Sequence, residues 1–403
     1  MTPGAQPNCA SGVQNQDMEK VARSVAHCEI KFLKMSEIGV RVAEHYNSLQ
    51  EKGLEERTKS RIFYLRNFNN WIKSMLIGDI LQKVKADGAR DISVLDIGCG
   101  KGGDLLKWKK GDISHLVCTD IAGTSIEQCQ QRFDSMNQRR NFHRHNFPSF
   151  SAEFITADST KTRLKSLYKK ENTFFNIVSC QFAFHYCFES YSQVDQMLQN
   201  ASECLKPGGY FIGSTTDSCE IVKRLKASDD LSYGNDVYRI TFNEKDKFSL
   251  FGAQYNFHLT EVVDCPEFLV YFPALIEIAK KYDLEFVFKT RFDDYFNECT
   301  KNADSRKLND ARQLLGRMQA LETFPPFEEK DLASALPEDY KNAKDELEKL
   351  QSEGESCRKI GTLSLAEWEA ATLYVVFAFR KLPKGVKRKR DDIEDSEEQA
   401  RKQ

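Results

Sequence analysis

The chain mixes short apolar runs with longer stretches in which apolar residues recur every three or four positions. Over residues 66–87, Phe68, Trp71, Ile72, Met75, Leu76 and Leu81 repeat at helical spacing, which predicts a helix with one buried face. Asn69, Asn70 and Lys73 lie three and four apart on a separate polar stripe of the same helix. Brief apolar runs follow: Ser93–Ile97, His115–Thr119, Ala152–Thr156, Phe175–Cys180 and Gly209–Gly213, the last announced by Lys206-Pro-Gly-Gly. Helical segments separate them. Strands alternating with helices predict a mostly parallel sheet covered on both faces. Further on, Val237–Phe242 and Ala253–Leu259 read as a hairpin, Pro266–Tyr282 as a helix, and Leu284–Lys289 and Thr372–Arg380 as two more strands. The segment between these last two, about 297–362, is too long for a bare loop and carries charged helical stretches such as Lys341–Glu353. It reads as an inserted helical lobe.

The ends lack this patterning. Residues 1–36 are polar and are expected to form a disordered tail, as is 383–403, where a basic run (Lys387-Arg388-Lys389-Arg390) precedes an acidic one. The basic run reads as a nuclear localisation signal or a weak RNA-binding tail. This leaves 37–382 as the folded unit, with 137–150, rich in Arg and His, as a surface insertion. No apolar run reaches the roughly 18–20 residues of a membrane helix, and the first thirty residues hold no apolar core of a secretory signal. Hydrophobic residues make up 40% of the chain, enough for a large core. Lys+Arg 58 against Asp+Glu 60 gives a net charge of −2, so any anion site must be a local cluster rather than a general polyelectrolyte surface. The 12 cysteines include no C-x-x-C pair. They are expected to be reduced core residues, with no metal site.

The strongest chemical signal is Val94-Leu-Asp-Ile-Gly-Cys-Gly-Lys-Gly-Gly-Asp104. An apolar strand runs into a turn holding Gly98, Gly100, Gly102 and Gly103, then into a helix. Without Cβ atoms such a backbone approaches a ligand closely. Asp120 ends the second strand, and a carboxylate there suits a ribose diol. Thr124-Ser-Ile-Glu127 reads as a capping box opening the next helix.

This G-x-G-x-G-G-D pattern, with Asp96 before it and Asp158 after the third strand, resembles the class I S-adenosylmethionine-dependent methyltransferases. The resemblance implies a Rossmann-like α/β fold, a seven-stranded, mostly parallel sheet whose last strand is antiparallel. It implies a ribose contact by Asp120, an adenine contact by Asp158, and residues after the fourth strand facing the transferred methyl. Arg61–Trp71, Leu95–Trp108, Gln181–Tyr186 and Pro266–Pro273, taken together and in this order, resemble the eukaryotic mRNA cap guanine-N7 methyltransferases over roughly 37–381. That likeness implies methyl transfer from S-adenosylmethionine to N7 of the guanosine cap, GpppN. Guanine N7 carries a free lone pair, so no catalytic base is required and orientation carries the chemistry.

On this resemblance Lys73, Gly98, Asp120, Asp158, Gln181 and Tyr186 would hold the methyl donor. Asn69, Asn70, Lys101, Lys107, Arg132, His185, Glu267 and Tyr374 would hold the cap. His185, Tyr186 and Glu267 would position guanine without acid–base work, and the Glu267 carboxylate would accept from guanine N1–H and the exocyclic amine. Partners implied are the capped 5′ end of mRNA, a small activating subunit on the lobe, and the transcription and capping machinery, with a nuclear location and no membrane. The glycine turn with Asp120 and Asp158 would serve equally in a methyltransferase acting on a small molecule or a protein. The residues outside that half are what favour the cap.

Overall fold

The chain is seen in a computed structural model, which describes residues 37–48, 54–138, 150–301, 305–327, 332–354 and 356–383. The N-terminal tail, most of the 137–150 insertion and the C-terminal basic run lie outside the described residues.

Helices α1 (Glu37–Ser48) and α2 (Leu54–Thr58) lead into α3 (Phe63–Ala86). The alternating part follows: β1 (Ser93–Ile97), α4 (Leu105–Lys110), β2 (His115–Asp120), α5 (Gly123–Gln138), β3 (Ser151–Thr156), β4 (Phe175–Gln181), α6 (Tyr191–Ser202), β5 (Leu205–Thr216) and α7 (Ser218–Ala227). Four strands form a separate meander: β6 (Ser232–Gly234), β7 (Tyr238–Phe242), β8 (Gln254–Leu259) and β9 (Val263–Phe268). Next come α8 (Phe272–Lys280), β10 (Leu284–Arg291), α9 (Phe292–Lys301), α10 (Ser305–Met318), β11 (Glu322–Phe324), α11 (Lys341–Ser352), β12 (Ile360–Thr362), α12 (Leu365–Ala371) and β13 (Tyr374–Lys381).

The main sheet has seven strands in the order β10-β13-β5-β4-β1-β2-β3. β1 pairs in parallel with β2 and β4, β2 with β3, and β4 with β5, whereas β13 runs antiparallel to both β5 and β10. This is the class I methyltransferase arrangement. All five residues of β1 are buried, as a strand covered on both faces requires. Val94 joins the core on the α3 side, while Leu95 and Ile97 join the core under α6 and α8.

The long helix α3 starts three residues before its predicted span and buries Phe68, Trp71, Ile72, Leu76 and Leu81 as expected. It joins the sheet to the lobe, since the Trp71 Nε1–H donates to the Ala311 carbonyl of α10 at 3.1 Å and Phe68 packs on Phe296 and Trp368. The 297–362 segment holds the expected charged helices but also a two-stranded ribbon, β11 against β12.

Two local expectations fail. Pro266–Tyr282 is not one helix, because Pro266 and Glu267 sit in β9, the edge strand of the meander, opposite Asn256 and Tyr255, and helix α8 begins only at Phe272. An edge strand tolerates a residue without an N–H. Thr124 does not cap α5, which begins at Gly123. The Thr124 N–H donates instead to Asn47 Oδ1 at 3.1 Å.

Candidate active site

In the sheet, β1 lies between β2 on one side and β4 on the other, so the crossovers diverge at its C-terminal end. Ligands of open α/β sheets bind at such a switch point. A cavity of about 440 Å³ opens there, lined by the turns after β1, β2, β3 and β4, by α1 and α3, and by β9.

The turn after β1 is built for close approach. Gly98 and Gly100 have φ of +68° and +53°, and a Cβ on Gly98 would stand 2.6 Å from the Ala183 Cβ after β4. The two turns therefore meet backbone to side chain with no room between them. Asp120 Oδ2 accepts from the Gly100 N–H at 2.8 Å and Oδ1 from the Ala122 N–H at 2.9 Å. Burial pushes the Asp120 carboxyl up, and these amide bonds oppose it. A carboxylate has about four lone-pair sites, so two remain for hydroxyls. Asp158 Oδ1 accepts from the Thr160 N–H and Oγ–H at 2.9 and 2.6 Å, and Oδ2 stands 3.4 Å from the Lys161 ammonium.

On the α3 side, the Lys73 ammonium lies 3.0 Å from the Asp104 carboxylate and 6.0 Å from the Phe182 ring centroid. Lys107 stands 2.7 Å from Asp104 and donates to Asn70 Oδ1 at 2.9 Å. Burial raises the Asp104 carboxyl, but the two ammonium groups outweigh it and hold it below its usual range. Behind it, burial and then the Asp104 charge raise the Asp96 carboxyl, which accepts from Trp108 Nε1–H at 3.1 Å. Phe182 adopts a left-handed φ of 59°, a strained setting for a bulky residue. It packs 5.0 Å from Tyr374.

The opposite wall holds a polar group in an aromatic frame. His185 and Glu267 are each 2% exposed, and His185 Nε2 is 3.3 Å from Glu267 Oε1. Glu267 Oε2 accepts from the Tyr255 hydroxyl at 2.8 Å, and that hydroxyl is 3.0 Å from Thr216 Oγ1. Tyr255 and Glu267 face each other across β8 and β9, so the strand register delivers the bond. The His185 and Tyr186 rings are 4.3 Å apart, and Tyr186 Oη meets Tyr46 Oη at 3.1 Å.

Of the residues singled out in the sequence, Asn69, Asn70, Lys73, Gly98, Asp120, Asp158, Gln181, His185, Tyr186, Glu267 and Tyr374 all line this one cavity. Lys101, Lys107 and Arg132 are not among its lining residues. Lys107 is drawn aside by Asp104, three residues earlier on the same turn. Several lining residues escaped the sequence reading, notably Tyr46, Ser125 and Glu189. The helical pattern near Val40 marked the helix that carries Tyr46 but nothing marked its ring, which reaches Tyr186 from far along the chain. Glu189 is buried, its carboxyl raised by that burial, and Oε2 accepts from Gln193 Nε2 at 2.7 Å.

The buried atoms Asn69 Oδ1, Gln181 Oε1, Glu189 Oε1 and His185 Nδ1 have no hydrogen-bond partner within the protein, and His185 Nε2, though 3.3 Å from Glu267 Oε1, makes no aligned hydrogen bond to it. Buried polar atoms are nearly always satisfied. Orphans converging on one cavity, beside a glycine cradle and a half-used carboxylate, fit a polar nucleoside ligand such as S-adenosylmethionine together with a purine.

Comparison with known proteins agrees with this geometry. The model of the "mRNA (guanine-N(7))-methyltransferase domain" matches residues 32–382. The mRNA cap guanine-N(7) methyltransferase of Drosophila melanogaster is 49% identical over 347 residues, covering 84% of this chain and 76% of that protein. The protein of the same description from Caenorhabditis briggsae is 40% identical over 346 residues, covering 84% and 86%. An S-adenosylmethionine-dependent methyltransferase structure from Clostridium acetobutylicum aligns with a TM-score of 0.42 at 11% identity, covering 78% of this chain and 92% of that one. The chain therefore belongs to the mRNA (guanine-N(7))-methyltransferase family, enzymes that methylate N7 of the guanosine cap from S-adenosylmethionine.

Proposed function

We propose that this cavity performs the family's reaction by holding donor and cap in line, with no residue acting as a proton acceptor. S-adenosylmethionine, when bound, supplies an electrophilic methyl on a sulfonium. The guanine N7 lone pair is free at neutral pH, so the protein has no proton to remove. Its task is orientation and exclusion of water, and orientation alone can contribute about 7–11 kcal/mol.

The donor half is assigned to Gly98, whose turn lets the backbone close on the nucleoside, to Asp120 for the ribose hydroxyls, to Asp158 for the adenine amine, to Lys73 for the methionine carboxylate, and to Gln181 near the reaction centre. Tyr186 lines both halves. The guanine half is assigned to Asn69, Asn70, His185, Glu267 and Tyr374. The single observation that carries this reading is the buried Glu267 carboxylate, fixed by Tyr255 and 3.3 Å from His185. One carboxylate oxygen is spent on a tyrosine and the other faces a ring nitrogen and the cavity. An acceptor so placed matches the guanine N1–H and exocyclic amine and leaves adenine unmatched. Its position in a strand removes the plain alternative of a carboxylate placed to favour a helix N-terminus. For the triphosphate, Lys101 and Arg132 are the candidates, supported by Gly100, which precedes Lys101 on the cavity wall, and by Ser125, which lines that wall two turns before Arg132 on α5. Lys107 acts on the cap through Asn70.

We further propose a nuclear location, supported by the Lys387–Arg390 run, and a small activating subunit docked on the lobe. The exposed apolar side chains Phe327 and Leu336 support the second. Deleting the lobe should abolish that docking. Retained docking contradicts the assignment.

The test of the catalytic reading is methyl transfer from labelled donor to GpppG-capped and ApppA-capped RNA, with identification of the modified base. Label on guanine N7 of the GpppG cap alone supports it. Label on either adenine, or equal transfer to both caps, overturns the Glu267 assignment.

A further inference from the structure

The glycine turn also packs on a cluster of side chains that the methyl-transfer reading leaves unused. Cys99 stands in the turn itself, between Gly98 and Gly100. Cys118 is on β2 and Cys129 on α5. Far apart in sequence, their three Sγ atoms all lie within 4.8 Å of one another. Among the described residues no other set of three His, Cys, Asp or Glu side chains gathers its ligand atoms in this way. The cluster is wedged directly under the turn, since a Cβ on Gly102 would stand 2.8 Å from Cys129 Sγ. Cys118 and Cys129 are 1% and 0% exposed, whereas Cys99 lines the cavity.

We infer that Cys99, Cys118 and Cys129 form a site for a thiophilic d10 cation, entered through the methyl-donor cavity. Three converging sulfurs, with no His, Asp or Glu ligand atom gathered with them among the described residues, select zinc, cadmium or copper(I) over hard cations. Tetrahedral metal–sulfur bonds of about 2.3 Å set sulfurs about 3.8 Å apart, so closure needs shifts of no more than about 1 Å. On binding, three S–H groups lose their protons to solvent and three metal–sulfur bonds form, with a water or solvent ligand in the fourth position. The spacing along the chain follows none of the paired-cysteine patterns of structural zinc sites, which is why the sequence gives no hint of it. Because two of the cysteines are sealed and the third lines the cavity, a nucleoside in the cavity should obstruct entry.

The test is titration of the reduced full chain with Cd²⁺, following the ultraviolet sulfur-to-cadmium charge-transfer band, in the wild type, C99S, C129S and the triple Ser variant. The triple variant should lose one tight equivalent and its share of the band. Removing even a supporting partner of a ligand weakens metal binding by about 10–100-fold, so C129S should bind at least about 100-fold more weakly. C99S should do likewise, and it replaces the half-exposed member, which keeps the test open should C129S fold poorly. Saturating S-adenosylhomocysteine should slow the appearance of the band several-fold in the wild type. Equal stoichiometry and band in wild type and triple variant overturn the site, and uptake indifferent to S-adenosylhomocysteine overturns the route.

Discussion

Asp120 shows how one side chain is divided between fold and function. Two of its lone pairs fix the Gly100 and Ala122 amides, which hold the glycine turn and the start of α5, and two face the cavity. Asp120→Ala should therefore weaken donor binding by about 1–3 kcal/mol, the order lost when buried hydrogen-bond partners are removed, as read by calorimetry. Unchanged affinity contradicts the ribose role. Gly98→Ala should be worse, because the added methyl meets Ala183 at 2.6 Å and the backbone keeps a φ of +68°. Loss of donor binding is expected, and a variant that binds normally contradicts the cradle. The acids and glycines of this half were legible in the sequence because turn chemistry is local, with each residue within a few positions of the strand end that places it. The frame around Glu267 was not, since Tyr46, Thr216 and Tyr255 come from three elements that only the folded chain brings together.

Elements set the pH response. Glu367 in the first turn of α12 is wholly buried, accepts from the Leu65 N–H of α3 at 3.0 Å and from the Ser364 hydroxyl at 2.8 Å, and has Arg61 at 3.7 Å and the like charge of Glu322 nearby. Burial pushes its carboxyl up to about 7. The folded chain thus binds this proton more tightly than the unfolded one. The resulting stability is complete below about pH 4.5 and is lost as pH rises through about 7. The melting temperature of Glu367→Gln should gain on that of the wild type between pH 5 and pH 8, and a constant difference contradicts the shift. The strand–helix alternation was readable from periodicity. The β9 strand was not, because Pro266 and the apolar run after it suit a helix N-terminus as well as an edge strand. Tertiary pairing with β8 decided between them.

At the scale of the whole molecule, α3 couples lobe and site. One face buries Trp71 against α10 while the polar stripe presents Asn69, Asn70 and Lys73 to the cavity. Trp71→Ala should cost about 3–5 kcal/mol of stability, measured by denaturant midpoint, and should lower donor and cap affinity together. Lowered stability with both affinities intact contradicts the coupling. The proposed reaction requires that the cavity have a guanine half distinct from its donor half, with the Glu267 carboxylate at the centre of the guanine half. The most direct measurement is the steady-state kinetics of Glu267→Gln on GpppG-capped RNA beside its donor dissociation constant. The expected result is a fall in kcat/KM for the cap of roughly 10–100-fold, matching the 1.5–3 kcal/mol of a hydrogen bond to a charged group, with donor affinity unchanged. An unaltered kcat/KM, or a donor affinity that falls in step with it, would contradict the account.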